Sequence, residues 1–244
     1  MDLKKNTGRL AGLLLLGLIL TGIFAEFFVR QKLYVPNDPS ATTQNIIENE
    51  WLFRLGFVSD LVMSTLFFFY AYVLYCIFKH VNKNIALLLL LCVVISVAML
   101  CQNALYQFSA LEILSNKSYS ETFNGNQLQA LSMFFQNIHT KGYFVNQIFY
   151  GLYLFPLGYL VFRSGLVPRI IGVFLMLGCI GDLVSFLDYF LFPNHESAFI
   201  NNITIPADIG EFSMCLWLLT MGIRSIDSPK VAINYFNRNL DLKK

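Results

Sequence analysis

Apolar residues along this chain fall into long unbroken blocks, near 10–29, 52–78, 84–107, 143–162, 168–190 and 207–223, each bounded by charge or by Pro and Gly. Runs of roughly 18 to 25 apolar residues match the length a helix needs to cross a hydrocarbon core of ~30 Å at 1.5 Å per residue. The blocks are continuous instead of alternating, which favours helices over membrane strands, since a helix satisfies its own N–H and C=O groups in lipid. The pattern therefore predicts an all-α, polytopic membrane helix bundle with about six transmembrane helices. Residues 1–230 form its single membrane domain, and 231–244 a short basic tail.

Two connections carry helical patterns of their own. Asp38-Pro39 supplies an N-cap and a first-turn proline, and no breaker follows before Trp51, so a short helix leads into the second span. Between Gln127 and Ile138, Leu128, Leu131, Phe135 and Ile138 recur at helical spacing, with Gln129 and Gln136 toward water. That segment lies on the outer face or extends the fourth span.

Composition agrees with lipid as the solvent: of 244 residues 56% are hydrophobic, 16% aromatic and only 13% charged, with a mean hydropathy of +0.59. A net charge of +2 supplies no field for nucleic acid, so the expected partners are membrane lipids and an ion or small polar ligand. The distribution of charge is more informative. Lys4, Lys5, Arg9, Lys79, Lys83, Arg163, Arg169, Arg224, Lys230, Arg238, Lys243 and Lys244 flank one side of the spans, against Arg30, Lys32, Arg54, Lys117 and Lys141 on the other. Basic loops stay inside, which places both termini in the cytoplasm and the long connections 30–51, 109–142 and 191–206 outside. The first block is read as a retained span and not a cleaved signal, because Ile23 stands where a cleavage site needs a small residue.

The five cysteines (Cys76, Cys92, Cys101, Cys179, Cys215) all lie in or at the ends of apolar blocks and read as free thiols packed as small apolar groups. His80, His139 and His195 are scattered over three connections. With no Gly-rich phosphate loop, helix-spaced His pair or nucleophile elbow, neither a metal nor a cofactor is expected.

Ionisable side chains inside apolar blocks need explanation, because each costs several kcal/mol at membrane depth unless it meets a partner or water. Six acids qualify: Glu26, Asp60, Asp182, Asp188, Asp208 and Glu211. Asp182 lies about 14 residues from cytoplasmic Pro168 and Glu211 about 13 from Arg224, which puts both roughly 20 Å up their helices. Asn103 and Gln107 in the third span, and Asn146, Gln147, Tyr150 and Tyr153 in the fourth, add hydrogen-bonding groups. One account is structural: Glu26 pairs with Arg30, Asp60 with Arg54 or another helix, and the amides bond across the bundle. The other is an outward-facing polar cavity lined by Glu26, Arg54, Asp60, Asn103, Gln107, Asn146, Asp182 and Glu211, suited to an ion, a small polar molecule or a lipid head group. Gly12, Gly17, Gly151, Gly158, Gly172, Gly178 and Gly181 read as close-packing positions, and Pro156 as a kink in the fourth span.

Arg9-Leu10-Ala11-Gly12, Asn45-Ile46, Leu52-Phe53-Arg54, Gly158-Tyr159-Leu160 with Arg163-Ser164, the run Leu166 to Val173, and Leu216-Trp217-Leu218-Leu219 with Gly222 occur in an order that resembles a bacterial and archaeal membrane family, the domain of unknown function 4386. The resemblance covers nearly the whole chain. It implies a multi-pass protein of the inner or plasma membrane, with Pro168-Arg169 at a cytoplasmic turn, and implies nothing about chemistry. Three functions stay open: binding or transport at the polar cavity, an intramembrane hydrolase recruiting His139, Asp60 and Ser64, or a non-catalytic sensor or accessory subunit. Oligomeric state is undecided.

Overall fold

A computed structural model describes residues 3–36, 38–192 and 202–224. Among them the chain is helical and contains no strand. In order come α1 (Leu3–Ile23), a π-helical segment (Phe24–Arg30), α2 (Gln31–Leu33), α3 (Pro39–Glu48), α4 (Glu50–Phe78) and α5 (Lys83–Ser115). They are followed by α6 (Lys117–Thr122), α7 (Gly125–Leu152), α8 (Leu154–Ser164), α9 (Arg169–Leu191) and α10 (Ile205–Thr220). Five stretches are long and apolar enough to cross a membrane: Asn6–Leu33, Glu50–Phe78, Lys83–Ser115, Gly125–Ser164 and Arg169–Leu191. The block near 207–223 becomes α10, whose 16 residues rise only about 24 Å, short of the ~30 Å core. The basic tail 231–244 lies outside the described residues.

Local chemistry accounts for the boundaries. Asp38 caps α3 by accepting the Ala41 N–H at 2.8 Å, with Pro39 in the first turn. The segment 127–138 is helical and belongs to α7, so it extends the fourth span, with Leu128 buried. That span is interrupted at Tyr153, because Pro156 has no N–H to offer the Leu152 carbonyl. Gly165 (φ 68°) ends α8 and Gly222 (φ 66°) follows α10, both in the left-handed region that glycine tolerates.

The chain divides into two compact units. One comprises, of the described residues, those through Leu16, Phe68–Ile95, and those from Gln147 to Arg224. Here backbones touch: α8 and α9 meet at Gly158 and Gly172, and α9 meets α10 where Gly178 lies against Ala207 and Gly210 against Leu175. The start of α1 runs against α10, with Gly12 beside Leu218 and Leu219 and the Cys215 thiol 3.8 Å from the Gly12 carbonyl. Tyr70, Leu74, Leu89, Tyr153, Leu157 and Leu175 are fully buried in this unit.

The other unit comprises Gly17–Phe67 and Ser96–Asn146. Gly22 admits Met63 and Gly56 admits Val29, so α1 and the π-helical segment pack along α4. The Ser59 hydroxyl donates to the Thr21 carbonyl at 2.9 Å across the same contact. Val29, Leu33, Ile46, Phe53 and Leu111 form a buried core beneath the loop helix α3, which Asn45 ties down by donating to the Leu33 carbonyl at 3.2 Å. Leu13, Leu20, Phe27, Phe28, Trp51 and Leu216 remain exposed, an apolar exterior of the kind lipid covers.

Candidate functional site

In the second unit a single guanidinium holds two acids. The π-helical turn widens the first span, its ladder ending with the Gln31 N–H donating to the Glu26 carbonyl, and places Glu26 and Arg30 side by side. Arg30 Nε donates to Glu26 Oε2 at 2.7 Å, and Arg30 Nη1 to Asp60 Oδ2, also at 2.7 Å. The expected Glu26–Arg30 pair is present, and of the two partners expected for Asp60, Arg54 or another helix, the second holds, the partner being Arg30 of the first span. Arg54 is taken by Glu50, one turn earlier on its own helix, at 2.7 Å, and its guanidinium lies 5.4 Å from the centre of the Phe108 ring. Two acids on one base leave this triad with one net negative charge, carried toward the half-exposed Glu26.

The amides of this unit are more deeply placed. Asn103 donates to the His139 carbonyl at 2.9 Å, and Gly142 gives it room, since any Cβ there would overlap the Asn103 amide. Gln107 is wholly buried, and Asn103 and Asn146 nearly so. Ser64 donates to the Asp60 carbonyl at 2.8 Å, and Asp60 is held by Arg30, so two of the three groups a hydrolase would recruit are engaged in structural bonds.

In the first unit the acids have no such base. Asp182 on α9 is 2% exposed. Its Oδ1 accepts from Gln147 Nε2 at 3.1 Å, while Oδ2 is buried with no hydrogen-bond partner among the described residues. Gly151 is what lets α9 come this near α7: a Cβ there would stand 2.7 Å from that of Asp182. On α10, Glu211 accepts hydrogen bonds from the Tyr153 and Tyr150 hydroxyls. Among the described residues neither Asp182 nor Glu211 forms an ion pair. No group of three His, Cys, Asp or Glu side chains among them is arranged to hold a metal ion.

The structure thus gathers Glu26 with Asp60, sets Asn103, Gln107 and Asn146 in the same unit, and places Asp182 and Glu211 together in the other. Gln147, Tyr150 and Tyr153 were visible as polar residues of the fourth span. What the sequence did not disclose is that they serve the two unpaired acids; the only signal was their clustering within two turns around Gly151. A family model describing a domain of unknown function, DUF4386, matches residues 10–222. The chain belongs to the DUF4386 family. No match was found among curated proteins or among solved structures. The DUF4386 match spans every site residue named above, and, with five helices able to cross a bilayer, makes this a multi-pass membrane protein.

Proposed function

We propose that this DUF4386 protein binds a small cation, inorganic or organic, at Asp182 and Glu211 in the plasma or inner membrane, and that this binding underlies transport or sensing. One observation carries the proposal: among the described residues, a buried carboxylate oxygen of Asp182 has no donor, a second acid, Glu211, belongs to the same unit, and neither acid forms an ion pair. An uncompensated carboxylate at membrane depth costs several kcal/mol, a cost relieved by a proton or by a bound cation, and we assign the cation. The Gln147 amide and the tyrosine hydroxyls orient the carboxylates without neutralising them, leaving their charge for the ligand.

Purified protein in lipid nanodiscs, melted in sodium, potassium or tetramethylammonium chloride against an N-methylglucamine reference, tests this. At least one probe is expected to raise the midpoint with saturation, by the equivalent of roughly 2–3 kcal/mol near a hundredfold excess over Kd. Asp182→Asn should abolish that rise while remaining at least as stable as the native chain without probe, since it removes a lone buried charge. A probe that stabilises Asp182→Asn equally, or no response to any of the three, defeats the proposal. Unfolding of Asp182→Asn would make the acid structural.

The cytoplasmic placement of both termini is part of the same proposal and rests on the basic-residue asymmetry of twelve against five. An alkaline-phosphatase fusion after Lys117 should be active and one after Lys244 inactive. The opposite pattern would invert the orientation.

A further inference from the structure

Four arginines of the first unit come from three separate stretches of chain, and backbone contacts bring them to one end of it. Gly8 lies against Ile223, where an added Cβ would stand 2.6 Å from the Ile223 nitrogen, so Arg9 and Arg224, each the next residue, flank the same contact. The Arg224 N–H donates to the Leu166 carbonyl at 3.1 Å. Leu166 stands midway in the turn between α8 and α9, so Arg163 and Arg169, each about three residues away, lie within about 11 Å of it. All four side chains are exposed. The Arg169 guanidinium lies over the Phe162 ring, 5.7 Å from its centre, and that of Arg224 over Trp217 at 5.1 Å, contacts that hold each cation in place without neutralising it.

Among the described residues no ion pair balances this charge. Acids are also remote along the chain: 3–25, 147–181 and 212–224 contain no Asp or Glu. Asp182 and Glu211 stand about 13 residues, or roughly 20 Å of helix, from Arg169 and Arg224. Like charges gathered in this way repel one another unless an anion joins them. The residues beside the arginines indicate which anion. Leu10 (49% exposed), Phe162 (39%), Ile170 (60%) and Met221 (57%) each lie within three residues of one of the four, and are apolar surface of the kind acyl chains cover. A soluble anion would meet only the guanidiniums, whereas a phospholipid brings a phosphate to them and acyl chains to their apolar neighbours. Arginine suits that phosphate better than lysine, because its planar fork gives two parallel N–H···O bonds to one group.

We propose that Arg9, Arg163, Arg169 and Arg224 form a binding site for an acidic phospholipid, with its phosphate on the guanidiniums and its acyl chains along the exposed apolar residues beside them. The site uses none of the residues assigned to the cation, and it does not depend on which way the protein is oriented. Because contacts between three stretches of chain build it, a bound lipid pins the start of α1 and the end of α10 to the α8–α9 turn.

Trp217 reports on this site, because the chain has 2 tryptophans and Trp51→Phe leaves Trp217 alone beside Arg224. The Trp51→Phe chain is placed in phosphatidylcholine bilayers containing a minor fraction of phosphatidylglycerol or phosphatidylcholine brominated along its acyl chains, which quenches an adjacent indole. Brominated phosphatidylglycerol should quench Trp217 as though enriched at least about tenfold over its bulk fraction, given about fivefold attraction per basic residue at an acidic bilayer surface. Brominated phosphatidylcholine should quench only as its bulk fraction predicts. Replacing Arg163 and Arg169 together by Gln should remove most of the enrichment, again at about fivefold per guanidinium. Lys117→Gln with Lys141→Gln, in the other unit, should leave it unchanged. Equal quenching by the two brominated lipids would overturn the proposal, as would an unchanged preference in the folded arginine variant. An equal loss in the lysine variant would also overturn it, by showing that net charge and not this cluster gathers the lipid. Recovery of fluorescence on adding inorganic phosphate at constant ionic strength would assign the arginines to a soluble anion instead. If the double arginine variant unfolds, Arg163→Gln and Arg169→Gln taken singly decide the matter.

Discussion

Arg30→Met should destabilise the protein by on the order of 3 kcal/mol, because it strands two acids that depend on one guanidinium. Arg30 reaches Glu26 and Asp60 at 2.7 Å each, and Asp60 has only 10% of its side chain exposed. Glu26, nearly half exposed, can recover hydration, so most of the loss comes from Asp60. The cost is that of breaking the group and not of lacking it. Replacing every charged member together, as Glu26→Gln, Arg30→Met and Asp60→Asn, should therefore recover most of the stability, whereas Arg30→Met alone should not. Thermal midpoints in one detergent across the single, double and triple variants measure this coupling. Equal loss in the single and triple variants would show that packing of the Arg30 stem matters more than charge. Arg54→Met offers the contrast: its pair with Glu50 is about two-fifths exposed on both sides, so both groups can recover hydration and the loss should be smaller.

Gly158→Val and Gly172→Val are expected to be more damaging still, preventing recovery of a monodisperse folded protein. A Cβ at Gly158 would lie 2.5 Å from the Gly172 carbonyl oxygen and 2.9 Å from the Met176 nitrogen; one at Gly172 would lie 2.5 Å from the Gly158 oxygen and 2.9 Å from the Phe162 nitrogen. These obstacles are backbone, so no rotamer change makes room, and the cost exceeds the 1–3 kcal/mol typical of overpacking flexible side chains. Even alanine should lower the melting midpoint at either position. Gly125, in the first turn of α7, has nothing within 4 Å of an added Cβ, so Gly125→Ala should be neutral or mildly stabilising. Size-exclusion profiles and melting midpoints of the alanine and valine variants test the contrast. Normal folding of Gly158→Val would mean that α8 and α9 do not meet by backbone contact.

Much of the architecture was legible in the order of residues because lipid imposes it locally. A long apolar run in lipid must be helical, so five of the six expected membrane spans, the capped helix after Asp38 and the helical segment from Gln127 followed from pattern, while the sixth block gave a helix too short to cross. The break near Pro156 followed from a missing N–H, and the partnership of Glu26 with Arg30 from their spacing of four. Family membership too was carried by short segments in a fixed order. Tertiary structure decided what pattern does not encode, namely which faces meet. The sequence left Asp60 to Arg54 or to another helix, and only the π-helical turn packed on α4 selects Arg30. Shared depth suggested a link between Asp182 and Glu211. Their tyrosine and glutamine donors, however, depend on how α7 and α8 are turned against α9 and α10, which Gly151, Gly158 and Gly178 permit by omitting a side chain. Asn103 and Gln107 were likewise visible in the sequence, but an amide in an apolar run looks the same whether or not it finds a partner. Only the packing of α5 on α7 brings Asn103 to the His139 carbonyl while the Gln107 amide finds no partner among the described residues, because hydrogen bonding is a property of opposed surfaces and not of either helix alone.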